Sequence, residues 1–155
     1  MTPYKLRYGM LALFFAMACG GTEEDLSTET TKIVNEDGLQ FVFDLVTPAA
    51  HQEMMEAMDL AHEEDHSMHA EHKYVMLTVI DIESGGSTLT QGDVSFAITG
   101  PDGNPLETSS HVMSGMGMHH FAVHFEPSAA GNYSVRATLT REGKDPVNAT
   151  AVFSL

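Results

Sequence analysis

The feature that most constrains the fold is an alternation of apolar and polar residues that returns in short segments from residue 39 to the end of the chain. "LQFVFDLV" sets Leu39, Phe41, Phe43 and Leu45 against mostly polar neighbours. "DVSFAIT" does the same with Val94, Phe96 and Ile98, "MHHFAVHFE" with His119, Phe121, Val123 and Phe125, and "NYSVRATLT" with Tyr133, Val135, Ala137 and Leu139. "VNATAVFSL" closes the chain in the same manner. A period of two places alternate side chains on opposite faces of a strand, so each segment reads as a strand with one buried face. "YVMLTVIDI", residues 74–82, is apolar on both faces and reads as a more deeply buried strand. A weaker strand is expected over residues 106–112. The separators "SGGS", "GPDGNP", "SAAGN" and "REGKDP" are turn chemistry. About seven short strands punctuated in this way predict an all-β fold, an antiparallel sandwich that is immunoglobulin-like in broad terms.

One segment breaks the pattern. "PAAHQEMMEAMDLAHEEDHSMHAEH", residues 48–72, is rich in Ala, Glu and Met and has no β-branched residue. Good helix formers throughout predict a helix inserted between the first two strands of the pattern.

The start of the chain has a different character. "MTPYKLRYGMLALFFAMAC" carries Lys5 and Arg7 and then an apolar run too short to span a bilayer. Its end, "AMAC", resembles a bacterial lipoprotein signal, in which a Cys after small residues is lipidated and becomes the new N-terminus. Cys19 is the only cysteine in the chain, and an exported protein rarely keeps an odd free thiol. The expected organisation is a signal peptide over 1–18, an acidic tether over 19–32 beginning at the lipidated Cys19, and a sandwich domain over 33–155 with its helical insertion at 48–72. The expected location is the cell envelope, anchored by lipid and facing the periplasm from the outer membrane. Gly20 stands where a retaining Asp would hold a lipoprotein at the inner membrane.

The formal charge is −15. Removing the leader takes two basic residues and leaves 7 − 2 = 5 against 22 acidic ones. Nucleic-acid binding needs a basic face and is excluded. An acidic field concentrates cations.

The cation-binding side chains are concentrated. All nine histidines lie in two windows, residues 51–72 and 111–124. Met54, Met55, Met58 and Met68 share the first window, Met113, Met116 and Met118 the second, and after the leader only Met76 lies outside both. In the first window His51, Met55, Met58, His62, His66 and His69 step by three or four residues, which lines one face of a helix. The stripe is a candidate secondary metal site, although Met55 and Met58 would equally dock an amphipathic helix on a core. The second window, "HVMSGMGMHHF", gathers His119 and His120 with three methionines around two glycines. Strand parity turns His119 toward the core with Phe121, and His120 and His124 away from it. Thioether and imidazole together select copper, Cu(I) above all, with zinc and iron as the alternative ions.

Residues 74–155 carry a resemblance. "GDVSFAITGPDGNPL", followed by "MSGMGMHHFAVHFEPSAAGNYSVRATLTREG", is similar to the YtkA/FixH-like family of small exported sandwich domains, through a "DG-x-P" turn, a Met/Gly loop and a "GxY" opening the next strand. The same stretch is distantly similar to acidic periplasmic iron-transport proteins that bind copper through Met, His and Glu. That resemblance places Met113 and His119 near a ligand Met and His. It finds "HKY" at His72, without the Glu, where those proteins have His-x-Glu. The primary site expected is therefore His72, Met113, Met116, Met118, His119 and His120.

The function expected is a lipid-anchored extracytoplasmic metal-binding protein, a copper chaperone or buffer. Its partners would be the metal ion, the membrane through Cys19, and an exported protein that accepts the metal. The alternative is an interaction or envelope-structural module whose histidines respond to pH. No nucleophile elbow or phosphate loop is present in the sequence, although "HEEDH" at residues 62–66 has the HExxH spacing, and the expectation is that the protein is not an enzyme.

Overall fold

A computed structural model describes residues 30–57, 71–115 and 117–155. Nine strands and one helix follow one another in these stretches. They are β1 (Thr31–Glu36), β2 (Leu39–Val46), α1 (Pro48–Ala57), β3 (Lys73–Asp81), β4 (Ser87–Thr88), β5 (Asp93–Thr99), β6 (Ser109–Gly115), β7 (Met118–Phe125), β8 (Asn132–Thr140) and β9 (Val147–Ser154). Every strand pairing is antiparallel. One sheet runs β1-β2-β3-β7-β6, with β4 also paired to β3, and the other runs β5-β8-β9. The expected all-β sandwich is the fold observed.

The core lies between the sheets, where the periodicity puts it. Leu39, Phe41, Phe43, Leu77, Phe121, Val123 and Phe125 from the larger sheet meet Tyr133, Val135, Leu139, Ala149 and Phe153 from the smaller one. Burying a large apolar side chain of this kind contributes roughly 1.5–3 kcal/mol. Tyr133 also ties a corner. Its hydroxyl donates to the Ala129 carbonyl and accepts from the Ala129 N–H, as the tyrosine corner of immunoglobulin-like sandwiches does.

Two strands go beyond the seven expected. β4 is two residues long. β1 pairs with β2 through a turn at Asp37 and Gly38, both at positive φ (47° and 73°). An Asp-Gly pair of this kind matches the twist of a two-residue hairpin. β1 takes in Thr31 and Lys32, so the ordered sheet begins two residues inside the expected tether.

The helix starts where expected. Thr47 caps it by accepting from the Ala50 N–H at 3.2 Å, and Pro48 occupies the first position, where its missing N–H costs nothing. The expected helical range of 48–72 is too long at its end, since Glu71 and His72 are not helical and β3 begins at Lys73. The aromatic and β-branched run from Tyr74 pairs with β2 and pulls the chain into the sheet. Met58, His62, His66 and His69 lie outside the described residues, as do Met116 and the leader with Cys19.

The two sheets differ on their outer faces. β9 alternates buried and exposed residues throughout, with Asn148, Thr150 and Ser154 outward. β3 has Tyr74, Val75, Met76 and Leu77 all buried in succession. A strand buried on both faces needs a cover on each. The sandwich supplies one, and α1 supplies the other.

Candidate metal centre

The register fixes what α1 covers. On the outer face of the larger sheet, Val46, Tyr74, His124 and Ser109 form one row across β2, β3, β7 and β6. Asp44, Met76, Ala122 and His111 form the next row. Beyond it, His120 stands opposite Met113 and its Nδ1 lies 2.8 Å from the Thr78 hydroxyl. Ala122 therefore sits between Met76 and His111 with only a methyl group, and it makes a low floor between taller neighbours. Met76, Met113 and Ala122 form a buried cluster separate from the sandwich core, with Val46, Met54 and Met55 packed against it.

The helix supplies the roof. His51 is 2% exposed, the one buried polar side chain among the described residues. Its ring stacks on Tyr74 with centroids 4.3 Å apart and meets His111 edge-on at 5.5 Å. His124 lies 5.5 Å from Tyr74 and 5.3 Å from His72, with which it stacks. Met54 and Met55, three and four residues after His51, point to the same face. Burial raises the Tyr74 hydroxyl pKa above its ordinary value, so the phenol stays protonated at neutral pH. The His120 pKa is lowered, first by burial, then by His119; Asp44 acts in the opposite direction. A neutral imidazole is the form that binds metal.

Two imidazoles bound tetrahedrally to one ion, with metal–nitrogen bonds of ~2.0–2.1 Å, have ring centroids ~5 Å apart. The His51–His111 separation is close to that value, whereas His72 and His124 stack, an arrangement that does not aim both ring nitrogens at one ion. Among the described residues, no three His, Cys, Asp or Glu side chains are placed to hold one ion together. The soft donors gathered on this face are the imidazoles of His51 and His111 and the thioethers of Met76 and Met113.

The structure divides the residues expected from sequence. Met113 and His120 share the outer face. His119 is on the opposite face, edge-on to Phe121 at 5.0 Å, with its Nδ1 3.0 Å from the Ser114 hydroxyl. The expected grouping of His119 with Met113 is therefore not present, because residues adjacent along a strand point to opposite sides. Met118 lies at the β6–β7 hairpin tip and is 42% exposed. His72 stands at the entry of β3 beside His124, and His51 and Met55 lie on the covering face of α1 as the stripe requires. His111, His124, Met76 and Tyr74 are the members that sequence reasoning left out of the site. Their signal was the double-sided apolar character of residues 74–82, which requires a cover over the outer face.

The class of protein defined here is an all-β sandwich with a helix-roofed Met/His face. Solved structures share the fold. A DUF4426 family protein from Pseudomonas aeruginosa PAO1 superposes with a TM-score of 0.64 at 9% identity, over 81% of this chain and 94% of that one. FetP of uropathogenic Escherichia coli strain F11 superposes with a TM-score of 0.60 at 13% identity, over 81% and 93%. A copper-bound variant of FetP gives 0.57 at 13% identity, over 81% and 90%. No protein-family model matches the chain, and no curated relative matches it.

Proposed function

We propose that the protein is a lipid-anchored, extracytoplasmic metal-binding protein that carries or buffers copper. The observation that carries this reading is the pairing of two kinds of soft donor in one buried place. Met76 and Met113 flank Ala122 on the sheet, with His111 on the same face and His51 above. A packing face has no need of imidazoles, and a pH-sensing face has no need of thioethers. Cu(I) uses both.

Three further observations support it. The acidic balance of the chain draws cations. The sequence resembles exported copper-binding proteins around Met113 and His119. The fold is shared with FetP, of which a copper-bound variant has been solved. The same geometry also favours a second reading, in which the His72–His124 and His51–His111 contacts open in acid because two imidazolium rings repel each other. Native mass spectrometry of the protein with Cu(I), Zn(II) and Fe(II) separates the two. Stoichiometric Cu(I) retained in the gas phase supports the copper reading, and no retained ion of any kind removes it.

A further inference from the structure

We propose that the outer face of the β6–β7 hairpin is the route by which a soft metal ion enters and leaves the buried centre, with Met118 as its entrance. This rests on the copper-binding reading above and adds to it a path and a kinetic role for a residue outside the centre.

The register lays out the path. Met118 faces Gly115, the next same-face pair inward is His120 with Met113, and the next is Ala122 with His111. Same-face neighbours along a strand are roughly 6–7 Å apart, and residues directly opposite are ~4.5–5.5 Å apart. Met and His side chains are long enough for an ion held at one pair to be reached by a donor of the next. Exposure falls along the same line. Met118 is 42% exposed, His120 is half-buried, and Met113 is fully buried. Donors thus run without a break from solvent to the floor of the centre. The opposite face of the hairpin offers nothing comparable: Val112 is exposed there, Phe121 belongs to the core, and His119 is held by Ser114.

The tip is built to present the sulfur. Gly117, at φ 80°, makes the turn, and a Cβ there would meet no atom within 4 Å. Gly115, across from Met118, adds no side chain. An exposed apolar side chain that follows Gly117 and faces Gly115 contributes little packing, but a thioether in that position can meet an acceptor's donor. Each step is ligand exchange. The incoming sulfur or nitrogen bonds to Cu(I) before the outgoing donor leaves, and neither the oxidation state nor any proton count changes at a thioether. The net negative charge of the chain favours cations in its vicinity.

A stepping residue changes both rates and leaves the equilibrium alone. The test is stopped-flow transfer of Cu(I) between the full chain and a chromophoric Cu(I) chelator, in both directions, for wild type, Met118→Leu and Met118→His. Met118→Leu is expected to slow loading and removal alike by about tenfold, or ~1.4 kcal/mol on the exchange barrier, with unchanged affinity. Met118→His, which restores a donor, is expected to recover most of the rate. Unchanged rates in Met118→Leu overturn the route. So does a faster removal with unaltered loading, which would make Met118 a ligand of the resting centre. Failure of the wild type to bind Cu(I) at all would instead overturn the copper reading, and the route with it.

Discussion

His51 of α1 lies flat on Tyr74 of β3, ring centroids 4.3 Å apart and planes 23° from parallel. This contact fastens the helix to the outer face of the sandwich and puts an imidazole over the Met76–Ala122–His111 row. Replacing His51 by Ala removes a buried ring, and the expected cost is roughly 1–3 kcal/mol. Because α1 packs on one sheet and not between the two, the loss should be local. Hydrogen exchange should show α1 amides losing protection while β7, β8 and β9 keep theirs. Equal loss of protection in β8 would show that the helix belongs to the folding core.

Ala122 is the floor of the centre because its neighbours across the sheet, Met76 and His111, are long. Ala122→Leu fills that space. Overpacking typically costs 1–3 kcal/mol, which a core of this size tolerates. The variant should keep its β-sheet circular dichroism and lose Cu(I) binding. Retained affinity in a folded Ala122→Leu protein would move the centre elsewhere.

His120 is held below the ordinary imidazole pKa, chiefly by burial. The unfolded chain then binds more protons than the folded one below pH ~6.5, so this group lowers stability as pH falls through that range. An NMR titration should place His120 below the exposed-imidazole value, and His120→Gln should flatten the fall in stability between about pH 7 and 5. A His120 titrating at or above the ordinary value would contradict the burial argument.

Cys19 is expected to carry the lipid. Cys19→Ser should release the protein from membranes into the soluble fraction. A variant that still pellets with membranes would end the anchored reading.

The fold was legible because burial on one face leaves a period-two signature, and Phe41, Phe121 and Val135 stand where that signature put them. β1 escaped notice because "TKIVNE" is weakly alternating, although the Asp37-Gly38 turn beside it was a usable hairpin signal. The site was legible in composition but not in geometry. Parity along β7 correctly turned His120 and His124 away from the core. It could not show that Met113 pairs with His120 and not with a residue on the face of His119, because that depends on cross-strand register. Met76 looked like an outlier from both windows, yet β3 is the strand that brings the two windows together: its Tyr74 meets His51 on one side of the sequence and His124 on the other. No local pattern encodes such a meeting of distant segments.

The central claim is that thioethers of the outer face bind the ion together with imidazoles, and a competition titration with Cu(I) at pH 7 and pH 5 tests it most directly. The comparison is wild type against the double variant Met76→Leu, Met113→Leu, in which each swap keeps apolar bulk and usually costs under about 1.5 kcal/mol. Imidazoles protonate across this range and thioethers do not. Wild type is predicted to hold Cu(I) at both pH values, and the double variant to bind weakly at pH 7 and lose the ion by pH 5. Equal Cu(I) affinity of the two proteins at pH 5 would contradict the account.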